Sequence, residues 1–197
     1  MSNAEPMYAD PLFRYCGYAW ALFAIGWFIA ALDTKPAARV LSLRVRVVQR
    51  VVLFLGYFLV FLPQFRVGFL GEHVLPANRS AGYIGFVLTL AGLAFAWWAR
   101  VYLGRNWSSI PMVRKEHELI RTGPYSVVRH PIYTGLLLAL LGTAIALGEI
   151  RGFIGFILML IELKIRSSIE EKFMTEEFPS DYPKYRQKVK ALIPYLW

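Results

Sequence analysis

The sequence is poor in the residues that cross-link or charge a soluble protein. A single cysteine, Cys16, occurs in 197 residues, which excludes an intramolecular disulfide framework and a cysteine-based zinc site. Charged residues make up only 18% of the chain, whereas a typical soluble domain has about a quarter. No glycine-rich dinucleotide fingerprint, serine nucleophile elbow or metal-ligand spacing of histidine, cysteine and carboxylate is found. These absences disfavour Rossmann cofactors, serine hydrolysis and zinc chemistry.

Apolar residues dominate instead. The chain is 57% hydrophobic and 16% aromatic, with a mean hydropathy of +0.45. A bilayer is crossed by about 20 apolar residues, with about 17 to 25 tolerated. Five apolar runs approach that length, and they extend over Leu12 to Leu32, Val47 to Leu62, Ala81 to Leu103, Ile132 to Gly148 and Arg151 to Ile165. We therefore predict one all-α integral membrane domain with about five transmembrane helices, the last two forming a tight hairpin.

Basic residues are distributed unevenly around these runs. They concentrate in the segments after the first, third and fifth runs, whereas the other side holds only Arg14, Arg66, Arg79 and Arg151. Because arginine and lysine accumulate in cytoplasmic loops, we predict an outside N-terminus and a cytoplasmic C-terminus. The net charge of +9 is then explained by anionic lipid headgroups on one leaflet rather than by nucleic acid.

A polar cluster lies between the third and fourth runs. Within 17 positions it offers two imidazoles, two phenols and a guanidinium, which are His117, Tyr125, Arg129, His130 and Tyr133. The proline after His130 places that histidine at the N-terminal mouth of the fourth helix, where free N–H groups and the helix dipole favour an anion. Hydrocarbon tolerates such groups poorly, so the cluster is a candidate functional site on the cytoplasmic side.

A second polar group follows the last apolar run. Glu162, Arg166 and Glu170 have i, i+4, i+8 spacing and share one helix face, which is typical of an ion-pair ladder. Glu171 points about 100° away from Glu170 on a helix, so we expect one of the two glutamates to face the site. This helix should continue to about Phe178, before Pro179.

A second, short helix is predicted after that proline, from Ser180 to Leu192. Ser180 has the side chain of a good N-cap, and Pro194 would end the helix. The cytoplasmic C-terminal segment is therefore expected to be helical.

The motifs in this half of the chain resemble those of the integral-membrane isoprenylcysteine carboxyl methyltransferases and their prokaryotic relatives. The resemblance covers roughly residues 103–194 and rests on an ordered set of short motifs. The set comprises Leu103-Gly104-Arg105-Asn106-Trp107, His117-x-Leu119-Ile120, Gly123-Pro124-Tyr125, Arg129-His130-Pro131-Ile132-Tyr133-x-Gly135, Arg166 before Glu170-Glu171, Phe178-x-x-Asp181-Tyr182-x-x-Tyr185 and Ile193-Pro194.

The resemblance implies S-adenosylmethionine as methyl donor, a lipophilic acceptor, and a cofactor enclosed by the segment from His117 to Tyr133 and the C-terminal helices. No metal is expected, because metal-ligand spacing is not found. The resemblance also implies that the cofactor is held by eight residues, namely His117, Leu119, Tyr125, His130, Pro131, Tyr133, Glu170 and Glu171. Arg129 and Arg166 match arginines that look like the catalytic, acceptor-facing positions. Residues 1–103 would then supply three membrane spans, and residues 104–197 would form the cofactor-binding and catalytic half of the same domain.

The chemistry of the acceptor remains open between three nucleophiles. A carboxylate, as in an isoprenylcysteine-like molecule, is already ionised near pH 7 and needs no base, and an arginine can hold it bidentately. A phospholipid amine would need a base, and a thiol would need its thiolate stabilised. The abundance of arginine favours the carboxylate. Two other functions stay possible: a sterol-reductase-like, nicotinamide-dependent membrane reductase, and a non-catalytic helical protein whose polar cluster binds lipid headgroups.

Overall fold

The computed structural model describes residues 11–32, 43–75, 78–104 and 119–194, and the regular elements in these ranges are helical. The α-helices are α1 (Pro11–Ala31), α2 (Leu43–Phe61), α3 (Arg79–Leu103), α4 (Pro131–Leu147), α5 (Ile150–Glu177) and α6 (Tyr182–Lys188). Three 3-10 turns complete the set, at Pro63–Phe65, Gly68–Gly71 and Gly123–Ser126.

The first five helices coincide with the five predicted apolar runs to within a few residues, which confirms the all-helical class. α1 and α3 are long and apolar enough to cross a membrane, and α4 is a shorter apolar helix. The number of helices that actually cross stays a prediction. α5 runs past its apolar part as a single helix to Glu177 and ends before Pro179, as expected.

The helix predicted from Ser180 to Leu192 is wrong in both of its bounds. α6 is only seven residues long, and Asp181, not Ser180, occupies its N-cap position. Val189 is extended, and the next residues run beside the segment that precedes α4: the Arg129 N–H donates to the Lys190 carbonyl over 2.8 Å. Pairing with a distant segment overrides the local helical tendency here.

Glycines bring α3 and α4 into direct backbone contact. The two helices are antiparallel, with Gly85 and Gly92 on one facing Gly142 and Gly135 on the other. A Cβ atom built on Gly85 would lie 2.5 Å from both the Ala146 amide nitrogen and the Gly142 carbonyl oxygen. Small residues at this spacing are what allows membrane helices to approach so closely. α3 and α4 therefore form the tightest wall of the bundle.

We expect Gly85→Ala to destabilise the protein by about 1–3 kcal/mol, because its methyl group overlaps backbone atoms that can give way only if the helices separate. Gly17→Ala is the matched control, since a Cβ on Gly17 meets nothing within 4 Å. It should be neutral or slightly stabilising through helix propensity. The free energy of unfolding, measured by SDS titration with tryptophan fluorescence, checks both. Equal values for the two variants would contradict the packing argument.

A buried ion pair lies at the end of the bundle opposite the N-terminus of α4. Arg151, 1% exposed, donates from Nε to Glu149 Oε2 over 2.6 Å, and Glu149 is fully buried. Arg151 Nη1 also donates to the carbonyls of Leu59 (2.9 Å), Val60 (3.1 Å) and Leu62 (3.1 Å). The Leu59 and Val60 carbonyls lie in the last turn of α2, where carbonyls lack helical partners. The Leu62 carbonyl, just beyond α2, also accepts from the Phe65 N–H over 3.2 Å. A single side chain thus caps α2 and joins it to the start of α5.

Candidate functional site

The N-terminus of α4 places the predicted site histidine. His130 is the N-cap residue and Pro131 is the first helical residue, where the missing N–H of proline costs nothing. The backbone here is held by the C-terminal segment: the His130 N–H donates to the Ala191 carbonyl over 3.0 Å, and Thr134 Oγ1 donates to the Leu192 carbonyl over 2.6 Å. The C-terminal segment therefore sets the orientation of the His130 side chain.

Glu170 forms the centre of one half of the site. Its Oε1 accepts a short hydrogen bond from the Tyr133 hydroxyl and lies 3.4 Å from Arg166 Nε, which also donates to the Tyr133 oxygen over 2.9 Å. Its Oε2 lies 3.5 Å from His130 Nδ1. The His130 and Tyr133 rings stack 5.5 Å apart with planes inclined by 3°. α4 and α5 thus contribute two residues each to one connected cluster.

Glu171 forms the other half, on the far side of the same histidine. Its Oε1 accepts from Arg129 Nε (3.0 Å) and Nη2 (2.5 Å) and lies 3.3 Å from His130 Nε2. Its Oε2 lies 3.4 Å from Arg186 Nε on α6. Because adjacent residues on a helix diverge by about 100°, the two glutamates approach His130 from different sides. Both glutamates therefore contact His130, and their contact with a cofactor stays a prediction.

The ion pairs of this cluster outweigh the effect of burial on its pKa values. Both glutamates lie beyond the apolar run of α5. Burial alone would lower the pKa of His130, but the hydrogen bonds and charges of Glu170 and Glu171 raise it above its ordinary value. Burial would raise the pKa of Glu171, yet His130 and Arg129 lower it to about 2. The pKa of Glu170 is also lowered, mainly by its hydrogen bond with His130 and the charge of Arg166. At neutral pH the imidazole is therefore flanked by two carboxylates.

Arg129 is committed to the protein itself. Beyond its pair with Glu171, its Nη1 donates to the carbonyls of Arg186 (3.2 Å) and, at short range, Val189. Its side chain is 8% exposed. These contacts join the start of α4, the end of α5 and the C-terminal segment. The catalytic role expected for Arg129 stays a prediction.

The remaining predicted residues take different places. Tyr125 is buried in the turn before α4, with its hydroxyl 3.5 Å from the Ala99 carbonyl of α3 and its carbonyl accepting from the Tyr185 hydroxyl over 2.5 Å. Leu119 is half-buried in the approach to that turn. His117 lies outside the described residues. The structure thus brings together Arg129, His130, Tyr133, Arg166, Glu170 and Glu171.

The sequence predicted Glu162 only as a member of an ion-pair ladder, and it predicted no role for Arg186. Glu162 lies two turns before Glu170 on the same face of α5 and is 3% exposed, yet its carboxylate oxygens make no hydrogen bond within the described part of the chain. Its i, i+4 spacing to Arg166 signals proximity but not burial. Arg186 reaches Glu171 across a turn, and no local spacing could indicate that contact.

A protein-family model matches half of the chain. Residues 81–181 match the model of the phospholipid methyltransferase family. This stretch includes α3, the polar cluster, α4 and all of α5.

Two relatives carry a more specific name. A probable protein-S-isoprenylcysteine O-methyltransferase from Oryza sativa subsp. indica is 32% identical over 58% of this chain and 61% of its own length. The protein-S-isoprenylcysteine O-methyltransferase of Saccharomyces cerevisiae is 32% identical over 61% of this chain and 52% of its own. The chain thus spans about half to three fifths of the length of these relatives.

A solved structure shares the fold. The eukaryotic intramembrane Ras methyltransferase ICMT, isoprenylcysteine carboxyl methyltransferase, superposes with a TM-score of 0.68 at 23% identity, covering 98% of this chain and 69% of that one. At this identity the likeness concerns the fold alone. The family match covers more than half of the chain and includes the whole carboxylate and histidine cluster except the contacts from Arg186 and Val189. The chain belongs to the phospholipid methyltransferase family.

Proposed function

We propose that the protein is a membrane methyltransferase that uses S-adenosylmethionine to methylate a lipophilic acceptor, and that the acceptor is the carboxylate of an isoprenylcysteine-like molecule. The observation that carries the proposal is the single buried cluster in which Glu170 and Glu171 flank His130 beside Tyr133. Membership of the methyltransferase family favours this activity over the reductase alternative, and the names of the relatives favour the carboxylate acceptor.

The side chains of the cluster fit such a cofactor. S-adenosylmethionine has a sulfonium and an ammonium group, together with hydroxyl groups that donate hydrogen bonds. Glu170 and Glu171 supply ionised acceptors, and the stacked rings of His130 and Tyr133 supply a flat apolar surface beside them. We propose that these residues hold the cofactor together with His117, Leu119, Tyr125 and Pro131. When bound, the cofactor supplies the methyl group from its sulfonium centre.

Arg166 is the residue that we propose to bind the acceptor. Its guanidinium borders the cluster through Tyr133 and Glu170 and is one turn beyond the buried Glu162. A guanidinium can bind a carboxylate in two parallel hydrogen bonds and so orient one oxygen toward the reacting carbon. The acceptor needs no general base because a carboxyl group is ionised near pH 7. Exclusion of water by the surrounding helices strengthens these charge interactions.

Arg129 would act differently from Arg166 under this proposal. It joins Glu171 to the carbonyls of the C-terminal segment, so it holds the carboxylate in place while Arg166 contacts the acceptor. Arg129 would thus serve catalysis as a positioning residue, through Glu171.

The same proposal includes the topology. We infer that α1 to α5 all cross the membrane within a single domain, with the N-terminus outside. The end of α5, α6 and the cluster at the mouth of α4 would lie at the cytoplasmic face. The uneven distribution of arginine and lysine supports this orientation.

A second acceptor class has an observation in its favour. Glu162 is a buried carboxylate whose oxygens make no hydrogen bond within the described ranges, and it lies along α5 from Arg166. Such a group would suit a cationic or proton-donating acceptor, and the matching family is named for phospholipids. A phospholipid amine is therefore the alternative to the carboxylate.

The test combines donor binding with identification of the methylated product. Pure protein in lipid nanodiscs should bind S-adenosylhomocysteine by calorimetry and should transfer labelled methyl groups to a farnesylated cysteine with a free carboxylate. The matching methyl ester, which has no carboxylate to methylate, is the control and should remain unlabelled. Absence of S-adenosylhomocysteine binding by folded protein would sink the proposal. Label in phosphatidylethanolamine instead of the prenylated cysteine would select the amine alternative.

A further inference from the structure

A groove of about 840 Å³ lies on the flank of α5 that faces away from Glu170 and Tyr133. It is lined by Arg129, Lys164, Ser167, Ser168, Glu171, Lys172, Thr175, Glu176, Arg186, Lys190 and Ala191. The residues from α5 recur once per helical turn, at steps of three or four residues from 164 to 176. They therefore form one stripe along the helix, roughly 18 Å long. Neither Arg166 nor Glu170 belongs to this lining, and the residues shared with the cluster described above are Glu171 and its two arginine partners, Arg129 and Arg186.

The groove is cationic. Its lining contains five arginine and lysine side chains against two glutamates, a formal net charge of +3. Glu171 is already paired with Arg129 and Arg186, so its charge does not oppose an anion. Lys172 and Lys190 are exposed, and neither makes an ion pair with a residue in the described ranges. These two ammonium groups are available to a ligand.

The hydroxyl groups of the groove donate their hydrogen bonds within α5 and not to a ligand. Ser167 and Ser168 both donate to the Lys164 carbonyl, over 2.9 and 3.0 Å, and Thr175 donates to the Glu171 carbonyl over 2.7 Å. Their hydrogens are used within α5, as is usual for serine and threonine inside helices. Recognition of a ligand in this groove is therefore by charge, which suits a phosphate group better than a neutral sugar or amide.

Charge also separates this groove from the proposed cofactor site. S-adenosylmethionine is a net cation near neutral pH, and a surface with a net charge of +3 repels it, whereas Glu170, the carboxylate of the proposed cofactor site that lies outside the groove, attracts it. Position then indicates the source of the anion. Lys164 lies where the apolar run of α5 ends, next to Ile165, and the groove extends from there along the polar part of the helix. One end of the groove thus meets the edge of the apolar bundle, where lipid headgroups are found.

We infer that this groove binds the phosphate headgroup of an anionic membrane lipid through Lys172 and Lys190. The lipid's chains would lie against the apolar surface next to Lys164, and its phosphate would lie beside Arg186. The inference goes beyond the proposed function, because it concerns a second site that needs neither methyl donor nor acceptor.

The test is native mass spectrometry of the detergent-solubilised full chain with phosphatidylglycerol or phosphatidylcholine added. We expect one phosphatidylglycerol to be retained selectively. Lys172→Gln/Lys190→Gln should weaken its binding about 30-fold, since a lysine near an anionic lipid contributes about fivefold to affinity. Lys184→Gln/Lys188→Gln is the matched control, because both residues are exposed on α6 outside the groove, and it should retain the lipid.

Three results would overturn the inference: equal retention of the two lipids, equal losses in the two double variants, or binding of soluble glycerol phosphate as tight as that of phosphatidylglycerol. The last would assign the groove to a free phosphate compound instead of a lipid. Since no methyl donor is present, failure here is distinct from failure of the proposed activity. An unchanged free energy of unfolding of the Lys172→Gln/Lys190→Gln variant, measured by SDS titration, verifies that it is folded.

Discussion

Glu170→Gln is expected to lower the affinity for S-adenosylhomocysteine about 10- to 100-fold and to reduce methyl transfer by at least as much. Glutamine has nearly the same shape and can still accept from Tyr133, but it lacks the charge that Arg166 and His130 face. Hydrogen bonds to charged groups contribute about 1.5–3 kcal/mol, against about 0.5–1.5 for neutral ones. Calorimetry and a labelled-methyl assay measure the two quantities.

Glu177→Gln is the matched control for this change. Glu177 is exposed at the last position of α5, so the substitution removes the same charge from the same helix, two turns away from the cluster. It should bind and methylate as the parent protein does. If the two variants behaved alike, Glu170 would have no part in holding the cofactor, and the assignment of the whole cluster would have to be revised.

Arg151→Met should lower the free energy of unfolding by about 3 kcal/mol, the lower end of the range for breaking a buried ion pair from one side, because Arg66 Nε remains 3.2 Å from Glu149 Oε1. Methionine fills much of the arginine's volume, so the loss comes from the fully buried Glu149 and from the carbonyls of Leu59, Val60 and Leu62, which all lose a donor. SDS titration followed by tryptophan fluorescence measures it.

The double variant Arg151→Met/Glu149→Gln distinguishes the cost of breaking the ion pair from the cost of losing the cap on α2. Removing the carboxylate, which keeps Arg66 as its ion-pair partner, should restore part of the lost stability, because the effects of contacting residues are not additive, while the end of α2 stays uncapped. Arg50→Met, at an exposed position of α2, serves as the surface control and should change stability by less than about 0.5 kcal/mol. A double variant no more stable than Arg151→Met alone would contradict the role given to Glu149.

Much of the fold could be predicted because apolar length and proline positions are local signals. The five apolar runs indicate α1 to α5, and Pro131 and Pro179 mark where α4 begins and α5 ends. The short α6 could not be bounded in this way. What stops it near Lys188 is the pairing of Lys190 and Ala191 with Arg129 and His130, about 60 residues earlier.

The site could be predicted in its composition but not in its connections. The spacing of Glu170 and Glu171 suggests divergent directions, yet only the position of α4 beside α5 shows that His130 lies between them. Arg129 illustrates the limit further. The family resemblance implies an acceptor-facing role for it, whereas its partners in the structure include the carbonyls of Arg186 and Val189. Because every residue has a backbone carbonyl, the sequence does not indicate which carbonyls accept such bonds.

The glycine contacts between α3 and α4 determine which parts of the bundle can move. The backbones touch at Gly85 and Gly142, and the side chains in the contact are small, such as Thr89, Thr143 and Ala146, so we expect the two helices to move as one rigid body. α1, by contrast, meets them through side chains, such as Trp20, whose indole donates to Thr143 Oγ1 over 3.0 Å. We therefore expect a bulky lipid to enter or leave the interior between helices other than α3 and α4. The α3–α4 pair would stay fixed while the other helices move.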